Sequence, residues 1–376
     1  MKLIYLVTED WYFHSHRLPM VRAAQRAGFD VCVITNVSTF REKIESHGIR
    51  VIDYSLERRD LNPLLAIKHI KGLADIYRHE KPDLVHHIGM KPILYGGLAA
   101  RLAGIKYALS AFAGLGMVFH SNSVVAVILR PVLILGFRVV LRRDGCWTLF
   151  QNEDDYKTLK KYGIAIPERT KIIRGSGVDV ESYPVAPMPE SPPFICVFAG
   201  RMIDLKGLPT LQTAFALLKV RAPHIKLWLC GKPDHGNPGS WNEARLKSWC
   251  RENPNVIWKG HQDDMRTVWP HAHLAVQPSW GGEGLPKSLL EAAACARAIV
   301  ASNVAGCREV VDHGHNGFLV PAKDAPALAD AILTIASNMQ DCISMGKESR
   351  KIAESDLSAN SVSQKTEMLY REIISG

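Results

Sequence analysis

Several features of other protein classes are absent from this sequence. The eight cysteines stand singly, with no Cys-x-x-Cys pair and no cysteine–histidine spacing of a zinc site. No apolar run is long enough to cross a bilayer comfortably, and no segment is repetitive or of low complexity. These absences argue against a disulfide scaffold, a zinc protein, an integral membrane protein and a disordered chain. Scattered cysteines predict buried thiols in a reducing compartment such as the cytoplasm.

The signatures of two further classes are missing as well. A nicotinamide oxidoreductase needs Gly-x-Gly-x-x-Gly directly after a strand and an acidic residue at the end of the next strand. Here Glu9 and Asp10 follow the first predicted strand, and the second ends at Asn36. The excess basic charge is joined to no nucleic-acid recognition motif. No Asp-x-Asp pair lies in a loop that would hold a metal ion. We therefore expect no nicotinamide cofactor, no nucleic-acid partner and no metal.

The sequence does contain two series of alternating strand-like and helix-like segments. A chain of 376 residues exceeds the size at which one hydrophobic core usually stops growing. The first series starts at Leu3–Val7, which we interpret as a buried strand rather than a signal peptide, and the second starts at Phe194–Phe198. Such alternation is typical of parallel sheets with helices on both faces. We predict an α/β protein with two tandem doubly wound, Rossmann-like domains that face each other across a cleft.

The densest proline cluster, residues 183–193, separates the two series and predicts a linker. The predicted domains are residues 1–187 and 188–358, and residues 359–376 form a final helix. In open α/β sheets, ligands bind beyond the carboxyl ends of the strands. We expect one wall of the cleft to bind a nucleotide and the other wall to bind an acceptor.

The net charge of +9 comes mostly from the first half of the sequence, where one segment is both basic and apolar. Residues 124–141 are apolar but are interrupted by Arg130, Pro131 and Arg138. Such a helix suits the interface of an anionic membrane better than the hydrocarbon core. The alternative is a buried domain helix with solvated arginines at its ends, and the sequence leaves both interpretations open.

The most specific motif runs from Pro278 to Ala292, after the apolar strand Leu274–Gln277. We predict that a helix opens near Leu285, where the free N–H groups of the first turn and the helix dipole favour a phosphate. Glu283 precedes this helix in a glycine-flanked loop, where a carboxylate can accept hydrogen bonds from sugar hydroxyls. Glu291 lies about two turns into the helix and is expected to reach ribose hydroxyls.

A second motif, Phe198–Gly207, ends the first strand of the second series. Arg201 and Lys206 place two cations on this glycine-bounded loop. A guanidinium can fork across two phosphate oxygens, and an ammonium supplies a compact charge that offsets what builds up on a leaving group. The loop is therefore expected to bind a diphosphate.

Together these segments resemble the Glu-x7-Glu motif and the Gly-Arg-x4-Lys-Gly loop of glycosyltransferase family 4. Residues 82–86, 91–96, 175–179 and 316–321 are similar to the branch of this family that builds capsule, O-antigen and other lipid-linked glycans. The resemblance implies a GT-B fold, whose final helix crosses back to the first domain. It implies transfer of a sugar, with retention of anomeric configuration, from a nucleotide diphosphate sugar to a lipid-linked glycan. UDP is the preferred nucleotide, no cofactor or metal is expected, and the implied location is the inner face of the cytoplasmic membrane.

The resemblance also implies which residues form the site. The implied catalytic residues are Glu283, Arg201, Lys206 and His16. The implied donor-binding residues are Gly200, Arg201, Lys206, Gly231, Glu283, Gly284, Leu285, Pro286, Lys287, Ser288, Leu289 and Glu291. The implied acceptor-binding residues are His16, Arg17, Lys91 and Gly114.

Two departures from the family pattern keep alternatives open. The loop from Ser110 to Gly116 lacks the histidine that many relatives carry there, so His16 is the candidate for that role. Ala296 stands where the family usually has a glycine. A GT-B nucleotide-sugar epimerase, which consumes the donor without an acceptor, and a non-catalytic membrane scaffold are the rival interpretations.

Overall fold

A computed structural model of the protein describes residues 1–56, 62–115, 118–119, 124–281 and 284–375. The chain divides into two compact units: unit 1 comprises Met1–Ser176 and Asn360–Gly376, and unit 2 comprises Gly177–Ala359. Within these described ranges, each unit contains one β-sheet, of seven strands in unit 1 and six in unit 2. The predicted α/β class with two Rossmann-like domains is confirmed.

Unit 1 is built from alternating strands and helices. Its strands are β1 (Lys2–Glu9), β2 (Asp30–Asn36), β3 (Arg50–Asp53), β4 (Leu84–Ile88), β5 (Tyr107–Phe112), β6 (Cys146–Phe150) and β7 (Thr170–Ile172). The helices that lie before unit 2 in the chain are α1 (Asp10–Arg26), α2 (Arg41–Glu45), α3 (Pro63–Glu80), α4 (Met90–Leu102), α5 (Val124–Leu141) and α6 (Glu153–Lys161), with a 3-10 turn at Pro167–Arg169.

The sheet of unit 1 has the order β3-β2-β1-β4-β5-β6-β7, and all of its neighbouring strands are parallel. The winding direction reverses between β1 and β4, which is where ligands bind in doubly wound sheets. Leu3, Tyr5 and Val7 pack on one face of the sheet, and Ile4 and Leu6 pack on the other. Burial of both faces explains why this strand is an unbroken apolar run.

Unit 2 repeats the same plan. Its strands are β8 (Phe194–Ala199), β9 (Ile225–Cys230), β10 (Val256–Gly260), β11 (Leu274–Gln277), β12 (Ala298–Ser302) and β13 (Gly317–Val320). Its helices are α7 (Leu208–Arg221), α8 (Glu243–Glu252), α9 (Lys287–Ala294), α10 (Ala305–Arg308), α11 (Ala325–Ser337) and α12 (Met339–Glu354), with 3-10 turns at Asp204–Lys206, Met265–Thr267 and Trp269–His271. The last helix, α13 (Ala359–Ser375), belongs almost entirely to unit 1.

The sheet of unit 2 has the order β10-β9-β8-β11-β12-β13 and is also parallel throughout. Its winding reverses between β8 and β11. Because parallel strands share one carboxyl edge, the segments that follow β8, β9 and β11 meet there.

The division between the units falls between Ser176 and Gly177, whereas the proline cluster predicted a boundary near residue 187. The intervening segment packs into unit 2. Val178 is buried in its core, and its N–H donates to the carbonyl of Leu357 at 2.9 Å.

Two arginines of unit 2 hold the rest of this segment. The guanidinium of Arg350 donates to the carbonyl of Tyr183 at 2.8 Å, and that of the fully buried Arg297 donates to the carbonyl of Pro187 at 3.2 Å. Because these donors satisfy backbone acceptors that a free linker would expose to water, the segment is part of the folded unit.

Helix α13 completes the core of unit 1 through a buried polar network. The hydroxyl of Tyr370 lies 2.6 Å from the hydroxyl of Tyr5 and 2.8 Å from Nδ1 of His86. All three side chains are fully buried. Burial lowers the pKa of His86 well below its usual value, and the nearby Arg17 lowers it further. The histidine is therefore neutral in the folded protein at physiological pH.

Helix α5 spans the basic, apolar segment of the sequence. Large apolar side chains at four positions on this helix, Val127, Ile128, Val132 and Leu135, are each more than half exposed. Within the described residues, no helix has the length and apolar character needed to cross a membrane.

Candidate functional site

Gly200 and Gly231, two of the predicted donor-binding residues, directly follow β8 and β9. Gly231 has φ +152, and a Cβ there would lie 1.8 Å from the carbonyl oxygen of Gly200. The N–H of Gly200 donates to the carbonyl of Cys230 at 2.9 Å. The two segments are thus in backbone contact, and only a residue without a side chain fits at position 231.

The Arg201–Lys206 loop also contacts the segment after β11. Gly207, the N-cap of α7, has φ +84, and a Cβ there would lie 1.9 Å from the carbonyl oxygen of Pro278. Two residues after Pro278, the N–H of Trp280 donates to the carbonyl of Leu205 at 2.9 Å. Three loops from neighbouring strands are therefore joined through their backbones.

The side chain of Trp280 anchors the start of the third loop. Its Nε1 donates to Oγ1 of Thr210 on α7 at 2.8 Å. The Nζ atom of Lys323 lies 4.8 Å from the ring centroid, close enough for a cation–π contact. The indole therefore ties this loop to two other elements of unit 2.

Gln277 links the two ends of the same loop. Its Nε2 donates to Oγ of Ser279 at 2.7 Å, and its Oε1 accepts from Oγ of Ser288 at 3.3 Å. Gln277 and Ser279 are both buried. The segment between Ser279 and Ser288 includes Gly282 and the predicted catalytic Glu283, which lie outside the described residues.

The helix predicted to open near Leu285 begins at Lys287 instead. Pro286 is its N-cap, with φ −68 and ψ 115, and its carbonyl accepts from the N–H of Leu289 at 3.1 Å. Proline has no N–H and a fixed φ, which suits the boundary of a helix. The first-turn amides are therefore those of Lys287 and Ser288, and Gly284, Leu285 and Pro286 belong to the preceding loop.

Glu291 lies one turn into this helix and is almost completely buried. Its Oε1 lies 3.7 Å from Nζ of Lys287. Burial raises the pKa of Glu291, while Lys287 and the hydroxyl of Tyr183 act in the opposite direction by stabilising the carboxylate. A carboxylate held this way retains acceptor capacity for ribose hydroxyls.

The two predicted cations stand on the loop after β8. Arg201 is about half exposed, and its Nη1 lies 2.7 Å from Oδ2 of Asp234, in the segment after β9. Lys206 ends the short 3-10 turn and is half-buried, with its Cδ beside Gly200. Both positively charged groups thus lie at the carboxyl edge of the sheet of unit 2.

The predicted acceptor-binding His16 lies on α1 of unit 1. This helix runs from Asp10 to Arg26 and contains Pro19. The His16 ring stacks on Tyr12 with centroids 4.5 Å apart, and its Nδ1 lies 2.6 Å from Oγ of Ser15.

Arg17 points into the core of unit 1. Only 1% of the residue is exposed, and its guanidinium donates to the hydroxyl of Tyr12 at 2.8 Å and to Sδ of Met20 at 3.3 Å. In this arrangement the guanidinium supports the tyrosine on which His16 stacks.

Lys91 and Gly114 follow β4 and β5, two neighbouring strands of unit 1. Lys91 is the second residue of α4, and its Nζ lies 5.4 Å from the ring centroid of Tyr95. Gly114 has φ +96. Both therefore lie at the carboxyl edge of the sheet, and Lys91 follows β4, one of the two strands at the reversal point.

Three residues that hold the loops of unit 2, Asp234, Gln277 and Trp280, were not predicted from the sequence. Asp234 had a detectable signal, since it lies in a Gly/Pro/Asn-rich segment directly after a predicted strand. Trp280 and Gln277 act through contacts with Thr210 and Ser288, and no local pattern reveals such contacts.

Two family models match this chain, one in each unit. The family model described as "Glycosyl transferase 4-like" matches residues 2–138, and the model described as "Glycosyl transferases group 1" matches residues 193–338. The protein is a family 4 glycosyltransferase. The predicted family and enzyme class are therefore confirmed, and the two matches fall in different units.

Two similar proteins align with nearly the whole length of this glycosyltransferase. It is 24% identical to the N,N'-diacetylbacillosaminyl-diphospho-undecaprenol alpha-1,3-N-acetylgalactosaminyltransferase of Campylobacter jejuni, over 100% of this chain and 99% of that protein. It is 26% identical to the putative glycosyltransferase EpsD of Bacillus subtilis, over 94% of this chain and 92% of the relative.

Solved structures agree with the fold. Anabaena HepE, crystallised with UDP and glucose, superposes with a TM-score of 0.78 at 18% identity, over 100% of both chains. Sucrose-phosphate synthase from Thermosynechococcus elongatus superposes with a TM-score of 0.82 at 18% identity, over 100% of this chain and 99% of the other. The likeness confirms the GT-B fold class.

Proposed function

We propose that this glycosyltransferase binds a UDP-sugar in unit 2 and transfers the sugar, with retention of configuration, to a polyprenyl-diphosphate-linked or other cell-surface glycan. The observation that supports this most is the backbone contact among the loops after β8, β9 and β11. These loops carry Arg201, Lys206 and the start of α9 on one edge of one sheet. Cations and helix amides at a strand edge are the groups that bind a diphosphate.

The chemistry follows from the charge of the leaving group. As the bond between the sugar and the diphosphate breaks, negative charge builds up on the diphosphate. Arg201, Lys206 and the first amides of α9 stabilise that charge, and groups fixed in advance do so without rearranging during the reaction. Glu283 is proposed to bind the sugar hydroxyls, and the buried Glu291 is proposed to bind the ribose.

The proposed acceptor site is in unit 1, formed by His16, Lys91 and Gly114. The Campylobacter relative is named for a diphospho-undecaprenol acceptor, which supports a lipid-linked acceptor for this enzyme as well. Arg17 is proposed to act indirectly, by holding Tyr12 against His16, because its guanidinium is buried. An acceptor of this kind implies work at the inner face of the cytoplasmic membrane.

Helix α5 is the proposed membrane contact. Ile128, Val132 and Leu135 recur at helical spacing and are each about two-thirds exposed. Arg130 and Arg138 flank a groove of about 470 Å³ that this helix forms with Tyr162. The exposed apolar side chains are suited to contact the acyl chains of a bilayer, and the guanidinium groups are suited to contact its anionic headgroups.

Incubation with a panel of nucleotide sugars, with and without a polyprenyl-diphosphate-linked acceptor, tests the proposal. We expect transfer only when both substrates are present, and an NMR coupling constant that shows the anomeric configuration of the donor in the product. Donor epimerisation without acceptor would indicate the epimerase instead, and no consumption of any donor would indicate the scaffold. Activity should persist in a metal chelator, since no metal is proposed.

A further inference from the structure

One ion pair in unit 2 joins a proposed diphosphate ligand to a residue with no assigned role. Nη1 of Arg201 donates to Oδ2 of Asp234 at 2.7 Å, with the side chains 46% and 26% exposed. Exposed ion pairs add little to folding stability, typically less than about 1 kcal/mol. The significance of this pair therefore lies in where it directs the guanidinium.

The carboxylate of Asp234 is itself fixed in place. The N–H of Asp234 donates to Oγ of Ser240 at 2.9 Å, and Nδ2 of Asn237 donates to Oδ2 of Asp234 at 3.3 Å. The carbonyl of Asp234 accepts from the N–H of Asn237 at 2.9 Å, which closes a tight turn. Asp234 is thus anchored at its backbone and its side chain.

The turn that carries Asp234 is fastened to the loop that carries Arg201. The N–H of Met202 donates to the carbonyl of Lys232 at 3.1 Å, and the N–H of Asp204 donates to the carbonyl of Gly239 at 2.8 Å. Nε1 of Trp241 donates to Oδ1 of Asp204 at 2.7 Å. The distance between the two loops is therefore set by bonds on both sides of the ion pair.

A guanidinium is planar and carries five N–H donors in a rigid fork. When Asp234 accepts from Nη1, the Nε and Nη2 donors remain for an anion in the same plane. A long arginine side chain loses rotational freedom about several bonds when it binds a ligand. Fixing the guanidinium beforehand removes part of that entropic cost.

We propose that Asp234 is a positioning residue that orients Arg201 toward the diphosphate of a nucleoside diphosphate sugar and keeps its bond to Nη1 while the donor is bound. The inference rests on the proposed function of the donor site. It assigns to Asp234 no contact with substrate and no part in proton transfer.

The test compares three full-length variants with the wild type by titration calorimetry with UDP and by initial rates of UDP release from the preferred donor. Asp234→Ala should lower kcat/KM about tenfold, because the guanidinium is no longer oriented. Asp234→Asn should stay within about threefold of wild type, since its amide oxygen still accepts from Nη1. Asp330→Ala removes a similar exposed ion pair with Arg221, which joins α7 to α11, and should leave both measurements unchanged.

A double-mutant cycle separates positioning from a general effect on the fold. In an Arg201→Ala background, Asp234→Ala should cause no further loss, because there is no guanidinium left to orient. An equal loss in both backgrounds, or an Asp234→Ala variant as active as wild type, would overturn the inference. If Arg201→Ala alone binds UDP as tightly as wild type, the proposed diphosphate site fails, and that result is distinct from a failure at Asp234.

Discussion

The N–H of Trp280 donates to the carbonyl of Leu205 at 2.9 Å, which joins the loop before α9 to the loop that carries Lys206. The two loops carry different parts of the proposed donor site, and neither can shift without straining this bond. Small changes at the junction are therefore expected to alter donor binding even where they remove no ligand group.

Gly207 gives the most direct test of that junction. Gly207→Ala places a Cβ 1.9 Å from the carbonyl oxygen of Pro278, at a φ of +84. We expect loss of UDP binding by calorimetry and a lower midpoint of thermal unfolding. Gly314→Ala is the matched control, because Gly314 has φ +86 in the same unit but nothing within 4 Å of the added Cβ. Both variants incur about 1–2 kcal/mol of left-handed strain, so equal effects on UDP binding would argue against the close approach.

Lys206 should affect catalysis more than binding. Lys206→Ala removes a compact charge from the proposed leaving group, and loss of one such group lowers turnover by about a hundredfold or more. Initial rates at several donor concentrations should show a large fall in kcat and a smaller change in KM. Lys247→Ala, on the exposed face of α8, serves as the control. Wild-type kcat in the Lys206 variant would remove this residue from the site.

The buried His86 makes the stability of unit 1 depend on pH. Its folded pKa is well below the usual value near 6.5, so below that pH the unfolded chain takes up a proton that the folded chain does not. The free energy of unfolding should therefore fall with decreasing pH by about 1.4 kcal/mol per unit for this group, until the folded pKa is reached. Above pH 6.5 its contribution is constant.

Chemical denaturation between pH 5 and 7, with and without His86→Asn, measures this contribution. The difference between the two slopes isolates His86 from other titrating groups, such as His87, whose pKa burial lowers to about 3. An overall loss of stability in the variant does not affect the comparison. Identical slopes would show that His86 is not buried and neutral in the folded state.

The exposed face of α5 should decide membrane binding. Burying each of Ile128 and Leu135 in lipid contributes about 1.5–3 kcal/mol, so replacing both with glutamate should abolish co-sedimentation with anionic vesicles. Val220→Glu is a matched control, since Val220 is 84% exposed on α7 of unit 2. Neutral vesicles should bind the wild type more weakly than anionic ones. Undiminished sedimentation of the double variant would rule out α5 as the contact.

Ala296 offers a stabilising substitution. It has φ +57, directly after the end of α9, where a helix usually has glycine. Ala296→Gly should raise the free energy of unfolding by about 1 kcal/mol, because it removes the left-handed strain. Ala294→Gly, inside the same helix, should lower it by a similar amount. Denaturant titration distinguishes the two, and a destabilised Ala296→Gly variant would contradict the backbone assignment.

The alternation of segments was sufficient to predict the fold. Burial of a parallel strand on both faces leaves an unbroken apolar run, and the run predicted at Phe194–Phe198 became β8 with one added residue. Helix boundaries that depend on capping residues were predicted less accurately. The helix predicted to open near Leu285 starts at Lys287, because Pro286, with its fixed φ and no N–H, is the N-cap. The domain boundary also differed, since the arginines that bind residues 183–187 come from distant parts of the sequence.

The candidate site was predictable where a motif carries the chemistry and not where tertiary contacts do. The spacing of Arg201 and Lys206 was enough to predict that they share one loop, and their roles stay predictions. Asp234 was missed, because its partner lies 33 residues away and only the sheet order brings β8 and β9 together. Arg17 was predicted to bind the acceptor, yet its side chain is buried, because the sequence does not show which face of α1 packs into the core.

The return of α13 to unit 1 has a consequence for biosynthesis. Tyr370, Leu369 and Ile373 fill the core of unit 1, yet the ribosome makes them after all of unit 2. Unit 2 is continuous in the chain and can fold while translation is still under way. The amino-terminal part of unit 1 emerges first, and its core stays incomplete until α13 has been synthesised.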